Sequence, residues 1–381
     1  MGPWRNQLEP CALVEHFLDA PPVGFRVVKG LSAPAFMASF NLLTTMDDAV
    51  KQRLHRLPLF RWWSRLLKVR TLFAGSTVSE YLPLPSVASP AAWLRDVLLL
   101  AKQSNCQLAV VKDLPQASPL LLEEDNRYAQ WMASESRAQG FILVQGQALA
   151  YVPIDFESQD EYLARLSSSR RKDLRRKLRS RSALRVQRLP TGSHFDDPLL
   201  VRDYYRLYGE VFDQSDIQFD RLTPQFFQAV LRDERSTGIV FEYRLESDGT
   251  LVGWNLCYEQ GGRLIDKYIG LSYPLARELN LYFVSWFENL AYALERRLTH
   301  YVAGWTDPKV KASLGARFTF TQHAVFVRHP LLRAIARRFS PLFEGDRVWK
   351  EGSGMTPPPT DAPPSPSPLV AATCRDRPPP Q

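Results

Sequence analysis

Cysteine is scarce in this sequence, and its placement is uninformative for chemistry. Cys11, Cys106, Cys257 and Cys374 form no Cys-x-x-Cys pair, and none is grouped with a histidine. The six histidines are scattered as well. The spacing argues against a disulfide framework and a structural zinc site, and no metal is expected. His323 and His329 have no serine or cysteine partner in a recognisable triad signature, so covalent nucleophilic catalysis has no support. Long hydrophobic runs are missing too. No stretch approaches the about 18 apolar residues that span a bilayer, and the apolar cluster Phe141–Val144 has the length of a strand. The segment Met1–Ala20 carries Arg5, Glu9, Glu15 and Asp19, which is unlike a signal-peptide core. The expectation is a cytoplasmic protein with reduced thiols, at most peripheral at the inner membrane.

What is present suits a globular chain. Its 381 residues are enough for two domains, and hydrophobic residues at 45% can build large cores without staples. The net charge of +8 favours anionic partners. Those are the phosphates of a carrier, nucleic acid, or an anionic membrane surface.

Residues 1–22 read as an N-terminal arm and 23–155 as a first lobe. Gly24–Val28 alternates as a strand. Ala33–Leu57 predicts a helix, from Phe36, Phe40, Leu43 and Met46 at spacings of four and three. Leu66–Phe73 and Val78–Leu82 are strand-like about a Gly75-Ser76 turn. Ala91–Ser104 is helical, Leu108–Lys112 is a short buried strand, and Gly140–Pro153 predicts a hairpin turning at Gly146.

A second lobe covers 156–330. Tyr162–Ser182 reads as one basic helix, in which Arg170–Arg181 holds eight Lys or Arg against one Asp. Asp197–Val211 and Thr223–Asp233 are helical, the latter opened by Thr223-Pro224. Three strands follow, Gly238–Glu246, Leu251–Glu259 and Arg263–Leu271, joined by tight glycine turns. Arg277–Arg296 predicts a single helix, then come the strand Thr299–Ala303, a short segment through Leu314-Gly315, and the strand Phe318–Val327. Residues 331–351 are basic and amphipathic. Residues 352–381, with ten prolines in thirty, read as a disordered tail. The fold class is α/β of the α+β kind.

Three passages carry a family likeness: Leu166–Arg176; Leu251–Trp254 through Asp266–Gly270 to Leu279–Tyr282; and Asp307–Gly315. Together they resemble the GNAT N-acyltransferases. The nearest branch comprises FemAB-like transferases and the acetyltransferase domains of cellulose and peptidoglycan synthesis operons. The resemblance implies two tandem GNAT-like lobes of mixed, mainly antiparallel sheet flanked by helices, the first one degenerate. It implies transfer of an acyl group, acetyl for preference, from acetyl-CoA or another acyl-CoA. The acceptor is an amine on a small molecule or an envelope precursor. A FemAB-like donor, aminoacyl-tRNA, is the alternative, and a catalytically degenerate scaffold at a membrane surface is a third reading. The superfamily's Arg/Gln-x-x-Gly-x-Gly/Ala phosphate loop is replaced here by Arg277-Glu-Leu-Asn280-Leu-Tyr282, without glycines.

Direct attack of an amine on a thioester needs positioning, a proton acceptor and an oxyanion donor. By period two, Asp266, Tyr268 and Gly270 share one face of their strand. Asp266 is the candidate base with Tyr268 beside it; the alternative is a structural salt bridge with Lys267 or Arg263. Lys309 and Lys311 resemble the lysine that the FemAB-like branch places near the transferred group. Gly270, Leu271, Ser272, Arg277, Asn280, Leu281 and Trp305 are the candidate carrier contacts. Arg170, Arg171 and Asp307 are the candidate acceptor contacts. All of this requires the strands ending near Leu271 and Gly304 to part.

Overall fold

The computed structural model describes residues 4–41, 67–87, 89–215 and 218–339. The proline-rich tail, the cluster Phe60–Trp63 and most of the predicted helix Ala33–Leu57 lie outside these residues. The first part runs α1 (Cys11–Asp19), β1 (Arg26–Val27), β2 (Ala35–Asn41), β3 (Lys68–Ala74), α2 (Pro90–Gln103), β4 (Leu108–Gln116), α3 (Glu123–Ala138) and β5 (Ile142–Pro153). The chain continues through α4 (Gln159–Ala164), α5 (Ser168–Lys177), a 3-10 turn (Leu178–Ala183), β6 (Leu184–Pro190), α6 (Pro198–Gln214) and α7 (Pro224–Leu231). Then come the meander β7 (Gly238–Leu245), β8 (Leu251–Gln260) and β9 (Arg263–Leu271), and α8 (Leu275–Glu278), α9 (Leu281–Glu295), β10 (His300–Gly304), α10 (Pro308–Ser313), β11 (Arg317–Val327) and α11 (Pro330–Phe339). Side-chain caps start several helices. Ser89 accepts from the Ala92 N–H, Asp197 from Leu199 and Thr223 from Phe226, each followed by proline at the first helical position.

These strands form one sheet in the order β1-β2-β3-β4-β11-β5-β10-β9-β8-β7-β6. The order is close to a palindrome. On each side of the central β11–β5 pair there is one parallel pair, β3–β4 or β9–β10, and the other ladders are antiparallel. Two related halves therefore share a seam, and β11 reaches back to pair with both β4 and β5. Helix α9 buries Val284, Trp286, Phe287 and Leu290 on one face of the second half. Helices α1, α6 and α7 cover the opposite face with Phe17, Tyr204, Phe226 and Phe227. Helices α2 and α3 cover the first half.

Several local expectations are corrected. Ala35–Asn41 is a strand, not the start of a helix. Phe36, Ala38 and Phe40 line one face and Met37 the other, and a spacing of four fits both a strand and a helix. Gly140–Pro153 contains no hairpin. Gly146 lies at a register shift opposite Thr321, where an added Cβ would come within 3.1 Å of the Thr321 main chain. The basic helix is broken, because the Ser167 hydroxyl accepts from the Arg170 N–H and starts α5 afresh. Val78–Leu82 forms no strand, and Leu184–Pro190, between the expected helices, is one.

Candidate active site

Strands β9 and β10 run in parallel through three paired positions, ending at Ile265 opposite Val302. Beyond that point β10 bulges against β5, turns at Gly304 with φ +78°, and leaves. β9 continues to Leu271 with β8 as its one strand partner. Among the described residues, the edge of Asp266–Leu271 that would have faced β10 has no strand beside it. Lys267 marks the opening. Its side chain is 6% exposed, yet the residue as a whole is only half-buried, so solvent reaches its main chain. Such an edge can pair with an extended ligand backbone.

Two polar networks flank this gap. On the α9 side lies Asp266. One carboxylate oxygen accepts from Tyr301 Oη at 2.9 Å and Asn289 Nδ2 at 3.0 Å. The other accepts from Asn255 Nδ2 at 3.3 Å and Cys257 Sγ at 3.6 Å. Tyr243 donates to Asn255 at 2.8 Å and completes the set. Burial pushes the Asp266 carboxyl above the usual carboxylate range, against the pull of Tyr301, Asn255, Lys311 and Cys257. On the other face Lys267 bridges Glu9 at 3.1 Å and Glu80 at 2.5 Å, all deeply buried. Burial also raises the Glu80 carboxyl, against the pull of Lys267.

Lys311 closes the mouth of the gap. Asp307 (φ +52°) and Pro308 start α10, and Tyr162 holds the helix end by donating to the Leu314 carbonyl. Two residues along a helix turn the side chain by about 200°. Lys309 accordingly faces solvent, whereas Lys311 is 3% exposed. The Lys311 ammonium makes no hydrogen bond or ion pair among the described residues. A Cβ on Gly304 would lie 3.9 Å from its Nζ and 3.7 Å from the Asp266 carbonyl. Burial lowers Lys311 to about 8, against the pull of Asp266, Glu80 and Asp307.

The structure separates other residues that the sequence grouped. Asp266 and Tyr268 do not share a face. The β8–β9 ladder shifts register between Cys257–Asp266 and Leu256–Tyr268, leaving Lys267 as an extra residue. Tyr268 therefore packs against Phe226 and Phe227, opposite Asp266. Gly270 points the same way, Leu271 and Leu281 are buried core, and Ser272 donates its N–H to the Val252 carbonyl. The predicted helix Arg277–Arg296 is split at Asn280, which adopts φ +51°. Arg277 stacks over Tyr273 and donates to Gln214 at 2.5 Å. Arg170 and Arg171 lie on α5, outside the two networks, and Trp305 meets the edge of Tyr81. Gly270→Ala is expected to cost about 1–3 kcal/mol by overpacking, because its Cβ would lie 2.9 Å from Leu207 Cβ and closer still to the buried Trp254 indole. Urea denaturation of the variant measures it.

Asn255, Asn289, Tyr301, Glu9 and Glu80 escaped the sequence reading. Asn255 and Asn289 did leave a signal, each a lone amide in an apolar run. Glu9 and Glu80 left none, since they meet Lys267 only through tertiary structure.

A gap between parallel strands, repeated by pseudo-symmetry, defines a tandem GNAT-like protein. In the first half the equivalent parting follows Ala74 and Val111. There the gap is filled by the chain itself, with Leu82 donating its N–H to the Asp113 carbonyl at 3.0 Å. Residues 121–344, more than half of the chain, match the FemAB-like family, described as peptidoglycan biosynthesis/recognition; the chain belongs to this family. No curated protein matches it. Similar solved structures include the C-terminal domain of a protein described as a lysylphosphatidylglycerol synthetase from Agrobacterium fabrum (11% identity, TM-score 0.51, 87% of this chain and 90% of that one). FemX is similar at 12% identity and TM-score 0.51, over 88% of this chain and 96% of that one. L-PGS from Bacillus licheniformis is similar at 10% and 0.50, over 88% and 98%. These likenesses extend to the fold. No helix among the described residues is long and apolar enough to cross a membrane.

Proposed function

We propose that the protein transfers an activated acyl group to an amine in peptidoglycan precursor synthesis, by direct attack in the gap between β9 and β10. The observation that carries this reading is the open β9 edge with the unpartnered Lys311 ammonium at its mouth. The donor's extended arm pairs with the Asp266–Leu271 edge. The amine nitrogen bonds to the carbonyl carbon, and the oxyanion that forms is stabilised by Lys311. Collapse breaks the carbon–sulfur or carbon–oxygen bond, and the proton lost by the amine ends on the leaving atom. Asp266 has both oxygens committed to four donors. It therefore serves to hold Lys311 charged rather than to deprotonate the acceptor.

Two donors fit this chemistry. Acyl-CoA meets an obstacle at the start of α9, where no glycines stand and where Ser180 of the 3-10 turn bonds the Leu279 carbonyl. An aminoacyl ester on tRNA is the second reading, supported by the family and by the exposed Arg170, Lys172 and Arg179. Incubation with acyl-CoAs and with aminoacyl-tRNAs, each with an amine-bearing muropeptide precursor, separates them. We expect product from one donor class. Binding of the tRNA donor should weaken steeply with salt, and that of a CoA donor much less so. No product and no binding with either class sinks the proposal.

A further inference from the structure

Helix α11 is mounted the wrong way round for a surface helix. Seven large hydrophobic side chains are exposed among the described residues, and three of them fall in one turn of this helix: Leu331 at 69%, Leu332 at 55% and Ile335 at 54%. At 3.6 residues per turn these three and Ala336 occupy one arc, and Arg333 and Arg337 occupy the opposite one. It is the arginine side that touches the protein. Arg333 lies over the Phe326 ring at 4.1 Å, and Arg337 donates to the Gly140 carbonyl at 3.2 Å. The apolar arc consequently faces away from the body. An ordinary surface helix buries that arc.

The surroundings say what suits it. β3 and β5 begin, and β11 ends, at the same end of the sheet as α11, and α2 and α3 end there. Bonds tie this end together, Arg328 to Asn105 and Gln107, and Arg70 to Gln107. Lys68, Arg70, Lys102, Arg137 and Arg328 are all exposed around it. Arg338 flanks the apolar arc on α11, which contains no acidic residue. An apolar arc set in a basic rim is the pattern of a helix lying in the headgroup plane of a bilayer.

We propose that α11 and the basic rim around it form a docking surface for an anionic lipid bilayer, with Leu331, Leu332 and Ile335 inserted at the headgroup boundary. This proposal does not depend on the transferase reading. The full-length chain is to be sedimented with phosphatidylcholine vesicles, with and without phosphatidylglycerol. We expect roughly tenfold or greater preference for the anionic vesicles, lost on raising salt. The double variant Leu331→Ser/Ile335→Ser should lose most of this binding and keep the native circular dichroism spectrum, since both side chains are more than half exposed. Arg328→Glu/Arg338→Glu should weaken binding to anionic vesicles and leave the neutral background unchanged. Absence of pelleting, or pelleting that the serine variant does not reduce, overturns the proposal. So does a concentration-dependent dimer that the serine variant dissolves, because the arc would then belong to a second copy.

Discussion

Lys311→Met is expected to lower turnover in the transfer assay by about 10²- to 10³-fold, the usual effect of removing one oxyanion donor. Stability should move the other way or not at all. The lysine is 3% exposed, its burial disfavours the charged form, and its ammonium makes no hydrogen bond among the described residues; methionine fills similar volume without charge. A lost activity with an unchanged or raised melting temperature therefore distinguishes a chemical role from a structural one. The pH profile adds a second readout. With its pKa lowered to about 8, Lys311 is charged below that value and neutral above it. If its charge stabilises the oxyanion, turnover falls as pH rises through about 8. Lys311→Arg keeps a charge at all accessible pH, so the residual activity of that variant should not fall there. Asp266→Asn removes the largest influence holding Lys311 protonated, so the alkaline limb should move to lower pH. A wild-type rate that climbs through about 8 would assign Lys311 as proton acceptor and refute the oxyanion role.

The meander β7–β8–β9 was legible because its turns are local. Ser247-Asp248-Gly249 and Gly261-Gly262 close ladders whose alternation is visible within a few residues. The seam was not legible. β11 lies between β4 and β5 although more than 150 residues separate it from either, and such pairing leaves no local mark. The candidate site shows the same division. Asp266 stands out as a charged residue in a packed strand, whereas nothing local separates Lys311 from Lys309, since the helical phase of α10 alone buries the first and exposes the second. The bulge at Lys267, which throws Asp266 and Tyr268 onto opposite faces, is a single extra residue that no turn or glycine marks at that point in the strand. Period two is reliable only while the register is unbroken. The split at Asn280 is of this kind too, because the apolar stripe of α9 continues on both sides of it.

Lys267→Met should be the most destabilising single change in the second half of the sheet, by about 3–5 kcal/mol. Among the described residues the lysine is the one cation bonded to Glu9 and Glu80, whose side chains are 0% and 2% exposed. The Glu80 N–H already donates to the Glu9 carboxylate at 2.6 Å, which fixes the two acids side by side. Without the lysine they face each other in low dielectric, and each retains an oxygen with no partner among the described residues. The sign of the pH dependence follows. A carboxyl whose folded pKa is raised loses stability as pH climbs above its unfolded value of 4.5, and burial already raises Glu80 even with Lys267 present. The defect should therefore be smaller at pH 5 than at pH 8 in urea denaturation. Adding Glu80→Gln removes one of the apposed charges and should recover part of the loss. A penalty below about 1 kcal/mol, or one independent of pH, would mean that Lys267 contributes packing rather than charge.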